Sequence, residues 1–135
     1  MESIKQFFKQ DRFAEYIGVE LVSVSPGHAI ARLPLRPHHL NGMGVVQGGA
    51  TFTLADLAFA AAANSHGTIA VSINVNISYP KAVSSGVLIA EAREVSKNSK
   101  LGTYTVEVKD EQGELIAVFQ GLAYRKKEAI TGGPT

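Results

Sequence analysis

The sequence predicts an α+β fold, a curved antiparallel sheet of about six strands wrapped on one long buried helix. Three observations predict it. Residues 50–63 are apolar almost all round, with Asp56 as the only charge, so a helix there belongs in a core. Residues 68–124 are rich in β-branched and aromatic residues and are divided by turn clusters into strand-length segments. Two shorter strand-like segments, joined by Pro26-Gly27, precede the helix.

Each element follows from its own pattern. Ile4, Phe7, Phe8, Phe13, Tyr16 and Ile17 mark a short amphipathic helix ending near Gly18. Val19 to Ser25 alternates apolar and polar residues, as a half-buried strand does. His28 to Leu35 is the returning strand, with Ile30 and Arg32 on one face and Ala31, Leu33 and Leu35 on the other. Pro34 marks a sheet edge or the end of that strand. Arg36 to Gly49 is an irregular loop with two histidines and four glycines, longer than connections usually are without a functional reason. The apolar helix follows, running to about Ser65, and Gly67 can close it in a left-handed conformation.

Beyond the helix, strands are expected over Thr68 to Tyr79, Val87 to Val95, Thr103 to Lys109 and Glu114 to Tyr124. Glu111-Gln112-Gly113 and Lys97-Asn98-Ser99-Lys100 supply the turns between the last three. Strict alternation places Ser72, Asn74 and Asn76 on one face and Val71, Ile73, Val75 and Ile77 on the other. Residues 1–127 are expected to form one domain and 128–135 a frayed tail. An open sheet has two exposed edges, and pairing edges between subunits is one way to protect them.

Composition narrows the function. With 135 residues, 45% hydrophobic and 19% charged, the chain is expected to be folded and soluble. A net charge of +1 gives no electrostatic footprint for nucleic acid or a membrane surface. The absence of cysteine excludes disulfides, thiolate nucleophiles and thiolate zinc sites. No apolar run approaches the roughly 20 residues of a membrane span, and the N-terminus lacks a signal-peptide core, so a cytoplasmic protein is expected.

Asp56 is the residue that composition does not explain. An unpaired carboxylate inside an apolar helix costs several kcal/mol, so it is either paired at a buried interface or lines a cavity and does chemistry. The glycine-rich run from Asn41 to Gly49 leads straight into the helix N-terminus, where free N–H groups and the macrodipole favour negative charge. Those amides could hold a carbonyl oxygen as it becomes an oxyanion. Asp56 lies about two turns, roughly 10 Å, beyond Gly49 along the same helix, so the two could meet on one substrate only if helices pair across a dimer.

The run from Leu40 to Gly67 resembles the hotdog-fold thioesterases of the PaaI type, named from phenylacetate degradation. Those enzymes carry N-G-x-x-x-x-H-G-G, then F-x-L-A-D, an alanine-rich stretch and N-S-x-G; here these are Asn41 to Gly49, Phe52 to Asp56 and Asn64 to Gly67. More loosely, the resemblance extends from about Val19 to Tyr124. It implies a hotdog fold and hydrolysis of acyl-CoA thioesters at sites between two subunits. By matching positions, Asp56 would be base or nucleophile, and Gly48 would offer its N–H to the thioester carbonyl. Asn41 would position substrate or water, and Ser72 would help hold the attacking water. Gln47 and Gly49 would contact substrate, and His38-His39, beside Asn41, could either contact it or be solvated loop residues. No metal or other cofactor is implied, coenzyme A being part of the substrate. Self-association as a dimer or tetramer is implied. An aromatic acyl group, phenylacetyl or hydroxyphenylacetyl, follows only from the family's name.

One departure matters. The family's His-Gly-Gly is Gln47-Gly48-Gly49 here, and glutamine cannot titrate near neutral pH. The alternative reading is therefore a hotdog protein that binds acyl-CoA and has lost hydrolysis. Hotdog hydratases, which pair Asp with His, rank below both because no histidine lies near Asp56 along the chain. His38, His28 and His66 carry ordinary surface or helix-end explanations, and Asn64 and Ser65 suit a helix end. Tyr79-Pro80-Lys81 and Arg125-Lys126-Lys127 put positive charge near strand ends, either solvated or facing CoA phosphates.

Overall fold

The computed structural model describes residues 2–130. Two short helices, α1 (Glu2–Phe8) and α2 (Arg12–Ile17), are followed by β1 (Glu20–Ser25), β2 (His28–Pro34), a single 3₁₀ turn (Pro37–His39), α3 (Gly48–Ala63), β3 (Thr68–Ser78), β4 (Val87–Lys97), β5 (Leu101–Lys109) and β6 (Leu115–Ala129). The strands form one six-stranded sheet in the order β1-β2-β4-β5-β6-β3, antiparallel at every pairing.

The core lies between α3 and the inner sheet face. Ala29, Ala31 and Leu33 of β2, Leu88, Ala90 and Ala92 of β4, Val106 and Val108 of β5, and Phe119 and Ala123 of β6 point inward at alternating positions and are buried. Against them α3 sets Leu54, Ala55, Ala58, Phe59, Ala61 and Ala62. So many alanines let the helix lie close to the sheet. The largest side chains interlock at one place: the Phe59 ring sits 5.5 Å from Phe119 and 5.6 Å from Tyr104, arrangements worth about 0.5–1.5 kcal/mol per pair beyond burial. Gly121 makes room for that ring, since a Cβ there would stand 2.7 Å from it.

Several sequence expectations change. The N-terminal helix is two helices, because Asp11 starts a second one by accepting the Ala14 N–H at 3.0 Å; Gly18, at φ 100°, ends it. Phe13 and Tyr16 are exposed, while Ile4 and Ala14 anchor the pair in the core. Helix α3 begins two residues earlier than its apolar pattern, because Gln47 caps it. Strand β6 runs to Ala129, past the boundary expected at 127; residues 131–135 of the expected tail lie outside the described residues.

The alternation expected of β3 fails at Ile73. Ser72 pairs with Ala123 and Asn74 with Leu122, so Ile73 is an extra, bulged residue. Directly opposed residues share a face, and Ala123 points inward. Ser72 therefore lies on the inner face with Val75 and Ile77, whose partners Gly121 and Phe119 are buried, while Asn74 and Asn76 take the other face.

Candidate active site

The loop before α3 is built to present the helix start. His39 is 2% exposed; its Nδ1 accepts the Arg36 N–H at 3.0 Å and its Nε2 donates to the Ile17 carbonyl at 2.6 Å. These partners fix the Nε2–H tautomer and tie the loop to the end of α2. The expectation that His39 contacts substrate is therefore corrected: both ring nitrogens are occupied, and the ring is a buried brace. Asn41 folds the next turn by accepting the Met43 and Val45 N–H groups with Oδ1, at 2.9 and 3.3 Å. Its side-chain amide is committed to the loop only through that oxygen, and the residue is exposed. The Gln47 N–H then donates to the His39 carbonyl at 2.8 Å, and the Val46 N–H to Val83 at 2.8 Å.

At the helix start, Gln47 takes the N-cap position and its Oε1 accepts the Gly49 N–H at 2.7 Å. The Ala50 N–H bonds back to the Gln47 carbonyl at 2.9 Å. Among the described residues no acceptor takes the Gly48 N–H. It is thus an open donor on a sixteen-residue helix with no acidic residue in its first turn, so the positive end of the helix is not neutralised. Tyr79, at the end of β3, donates its hydroxyl to the Gly48 carbonyl at 3.0 Å and holds that peptide in place. Burial raises the Tyr79 pKa, which keeps the hydroxyl a neutral donor. Sequence reasoning missed this contact, which joins residues 31 apart; the only available signal was an aromatic residue just past a strand that borders the helix.

Asp56 is half-buried on α3. Along the same helix Gly49, Thr53, Asp56 and Ala60 fall at i, i+4, i+7 and i+11, one stripe that the sheet leaves partly uncovered. Burial, and second the like charge of Asp11, raise the Asp56 pKa; no hydrogen bond or cation among the described residues offsets them. A carboxylate so placed is a stronger base than an ordinary aspartate. The influence of Asp11 was also invisible in the sequence, because it arises from the docking of α2 on α3.

Ser72 sits on the inner face of the edge strand β3, exposed at the sheet margin. The Asn64, Ser65 and His66 trio is structural. Asn64 bonds the Ala60 and Ala70 carbonyls and the Ala70 N–H, Ser65 accepts the Gly27 N–H at 2.8 Å, and His66 meets Glu94 at 2.7 Å. The Tyr104 hydroxyl also donates to Glu94, at 2.8 Å. Burial would raise the Glu94 pKa, but hydrogen bonds from His66 and Tyr104 and the charges of His66 and Lys97 outweigh it and lower the pKa. Among the described residues no cluster of three or more potential ligands is arranged for a metal ion, and no helix is long and apolar enough to cross a membrane.

Comparison with known proteins agrees with this architecture. The family model of the thioesterase superfamily matches residues 43–117, more than half of the chain. A putative esterase of Archaeoglobus fulgidus is 41% identical over 95% of this chain and 84% of its own. The acyl-coenzyme A thioesterase PaaI of Escherichia coli is 32% identical over 93% of this chain and 90% of its own. The structure of the E. coli PaaI protein from the phenylacetic acid degradation operon superposes with a TM-score of 0.90 at 28% identity, covering 96% of this chain and 97% of that one. The motif, the six-stranded sheet around α3 and these matches converge, and the chain belongs to the thioesterase superfamily as a thioester hydrolase of the PaaI hotdog type.

Proposed function

We propose that the protein hydrolyses the thioester of a small acyl-CoA, with Asp56 as the base and the Gly48 N–H as the oxyanion donor. The observation that carries this reading is the pair of groups on one helix left uncommitted among the described residues: a carboxyl with raised pKa and no partner there, and an open amide at the positive helix end. Asp56 takes a proton from water, and the water oxygen attacks the thioester carbonyl carbon. The Gly48 N–H bears the negative charge that forms on the carbonyl oxygen. Collapse breaks the carbon–sulfur bond, the CoA sulfur takes the proton back from Asp56, and the free acid and CoA thiol leave.

Eight residues of helix separate the two groups, about 12 Å. One carbonyl cannot contact both within a single chain. The reading therefore requires a homo-oligomer, dimer or tetramer, in which Asp56 of one copy faces Gly48 of another. The uncovered α3 stripe and the unpaired edge of β3 support such pairing. In this reading Ser72, on the inner face of that edge strand, would hold the attacking water, and the exposed Asn41 amide would orient substrate.

The Gln47 side chain caps the helix, a role that needs an acceptor and no titration, and this supports the hydrolytic reading over a binder that has lost activity. Free-thiol release from aromatic and aliphatic acyl-CoA thioesters, measured for wild type and Asp56→Asn, tests the reading. The wild type should release CoA and the variant should lose about a hundredfold or more in kcat while keeping fold and assembly. Equal turnover by a folded Asp56→Asn would remove Asp56 from the chemistry. Tight binding without release by the wild type would support the binder instead.

A further inference from the structure

Helix α3 starts on the least constrained backbone a chain can supply. Gly48 and Gly49 are its first two residues, and glycine gives up more freedom on ordering than any other residue. Helix ends of this kind fray. An oxyanion donor acts only when its nitrogen stands about 2.7–3.1 Å from where the negative oxygen forms. A turn that carries such a donor has to be held still.

Most of its hydrogen bonds are its own. Gln47 takes the Gly49 N–H, the Ala50 N–H bonds the Gln47 carbonyl, and the Thr53 hydroxyl donates to the Gly49 carbonyl at 2.8 Å. These bonds lie within α3 and its cap, so they shape the turn without fixing it against the sheet. Among the described residues, one hydrogen bond reaches residues 48–50 from outside α3 and its cap: the Tyr79 hydroxyl donates to the Gly48 carbonyl at 3.0 Å. The same side chain covers the Gly48 α-carbon, where a Cβ would stand 3.2 Å from the ring and from the hydroxyl oxygen. Tyr79 directly follows the eleven-residue strand β3, which is anchored along its length on β6. Hydroxyl and carbonyl belong to one chain, so this contact needs no second copy.

We propose that Tyr79 is a positioning residue for thioester hydrolysis: its hydroxyl, by holding the Gly48 carbonyl, keeps the Gly48 N–H aimed at the oxyanion. The inference rests on Gly48 being the oxyanion donor. The N–H and carbonyl of Gly48 flank one α-carbon and, in a helix, point opposite ways along the axis. Tethering the carbonyl to the sheet therefore sets the direction of the N–H. Without the hydroxyl the turn keeps its own bonds but swings over a wider range, and small misplacements of an acting group cost rate steeply. The donor is engaged most strongly when the carbonyl oxygen carries charge. Loss of the tether therefore falls on kcat and leaves ground-state binding largely intact.

Tyr79→Phe tests this, since it removes the hydroxyl and keeps the ring. If that variant does not fold, Tyr79→Met, which fills the space without a donor, replaces it. The first readout is thiol release from acetyl-CoA and phenylacetyl-CoA. The variant should lose about tenfold in kcat with KM within about twofold of wild type. The second readout needs no turnover. It is calorimetric affinity for S-(3,3,3-trifluoro-2-oxopropyl)-CoA, whose ketone hydrate sets an oxygen where the oxyanion forms, and for the thioether S-ethyl-CoA, which lacks a carbonyl. The variant should bind the ketone about tenfold more weakly and the thioether as the wild type does. A folded variant with kcat within about twofold of wild type overturns the role of Tyr79 and leaves Gly48 as the donor. Equal weakening of both ligands makes the tyrosine a structural prop and overturns the role as well. If the wild type releases no thiol, hydrolysis falls, and the ligands decide alone: selective loss of the ketone supports Tyr79, and no selectivity overturns it.

Discussion

Gln47 and Gly49 form a closed unit: the glutamine Oε1 accepts the Gly49 N–H at 2.7 Å, and a Cβ on Gly49 would stand 2.5 Å from that oxygen. Helix α3 therefore starts with one amide satisfied by its own cap and the preceding one, on Gly48, left for another acceptor. A side chain at 49 would displace the cap oxygen, so the cap in this geometry goes with a glycine at that position.

Two substitutions should break that unit in different ways. Gln47→Ala removes the acceptor, and Gly49→Ala pushes it away. Loss of an N-cap costs about 0.5–2 kcal/mol, so both should lower the urea midpoint, and the double variant should lose little more than either single one. Additive losses would show that the two residues act independently.

The raised pKa of Asp56 gives a pH signature. The acid limb of kcat/KM should lie above the ordinary aspartate value of 3.8, because the base must be ionised in the free enzyme. Asp11→Asn removes the nearby like charge while keeping the α2 cap, since asparagine caps as well as aspartate. That limb should move to lower pH in the variant, and an unmoved limb would show that burial alone sets it. Stability has the corresponding sign. The folded state holds the Asp56 proton to higher pH than the unfolded chain, so its contribution is present below 3.8 and lost as pH rises through the folded value. Asp56→Asn removes this loss and should melt at or above wild type at pH 8.

Gly121 exists to admit the Phe59 ring. Gly121→Ala sets a methyl 2.7 Å from ring carbons held between Phe119 and Tyr104, which leaves the ring nowhere to go. Overpacking of this kind costs about 1–3 kcal/mol. Chemical denaturation should show that loss, and Phe59→Leu in the same chain should recover part of it. No recovery would place the strain elsewhere.

His39→Ala should loosen the loop that carries the site. The substitution orphans the Ile17 carbonyl and the Arg36 N–H, each costing about 1–3 kcal/mol if left unmet. Hydrogen exchange should accelerate across residues 36–47, with strands β4 and β5 little changed. Unaltered exchange in the loop would mean that its backbone bonds to Val83 and within the Asn41 turn suffice.

Much of the fold was legible because its signals are local. The Pro26-Gly27 turn, the hairpin ending at Gly113 and the unbroken apolarity of residues 50–63 each specify their element without help from distant residues. The candidate base was legible for the same reason: a charge in an apolar helix stands out. What escaped depends on tertiary placement. The second N-terminal helix turns on a cap by Asp11, the role of His39 on a carbonyl 22 residues away, and the support of Gly48 on a tyrosine 31 residues away. Position 47 reads as a departure when matched to a motif and as an ordinary cap when its geometry is seen.

The bulge at Ile73 divides β3 into two halves of opposite parity. Before it, the even-numbered Ala70 and Ser72 face the helix; after it, the odd-numbered Val75 and Ile77 do. A saturation scan of this strand should therefore show its sensitivity pattern slip by one residue midway, and deleting Ile73 should restore regular alternation with Ser72, Val75 and Ile77 still facing the helix. Through that single extra residue a serine reaches a surface that uninterrupted alternation would have reserved for the strand's hydrophobic positions.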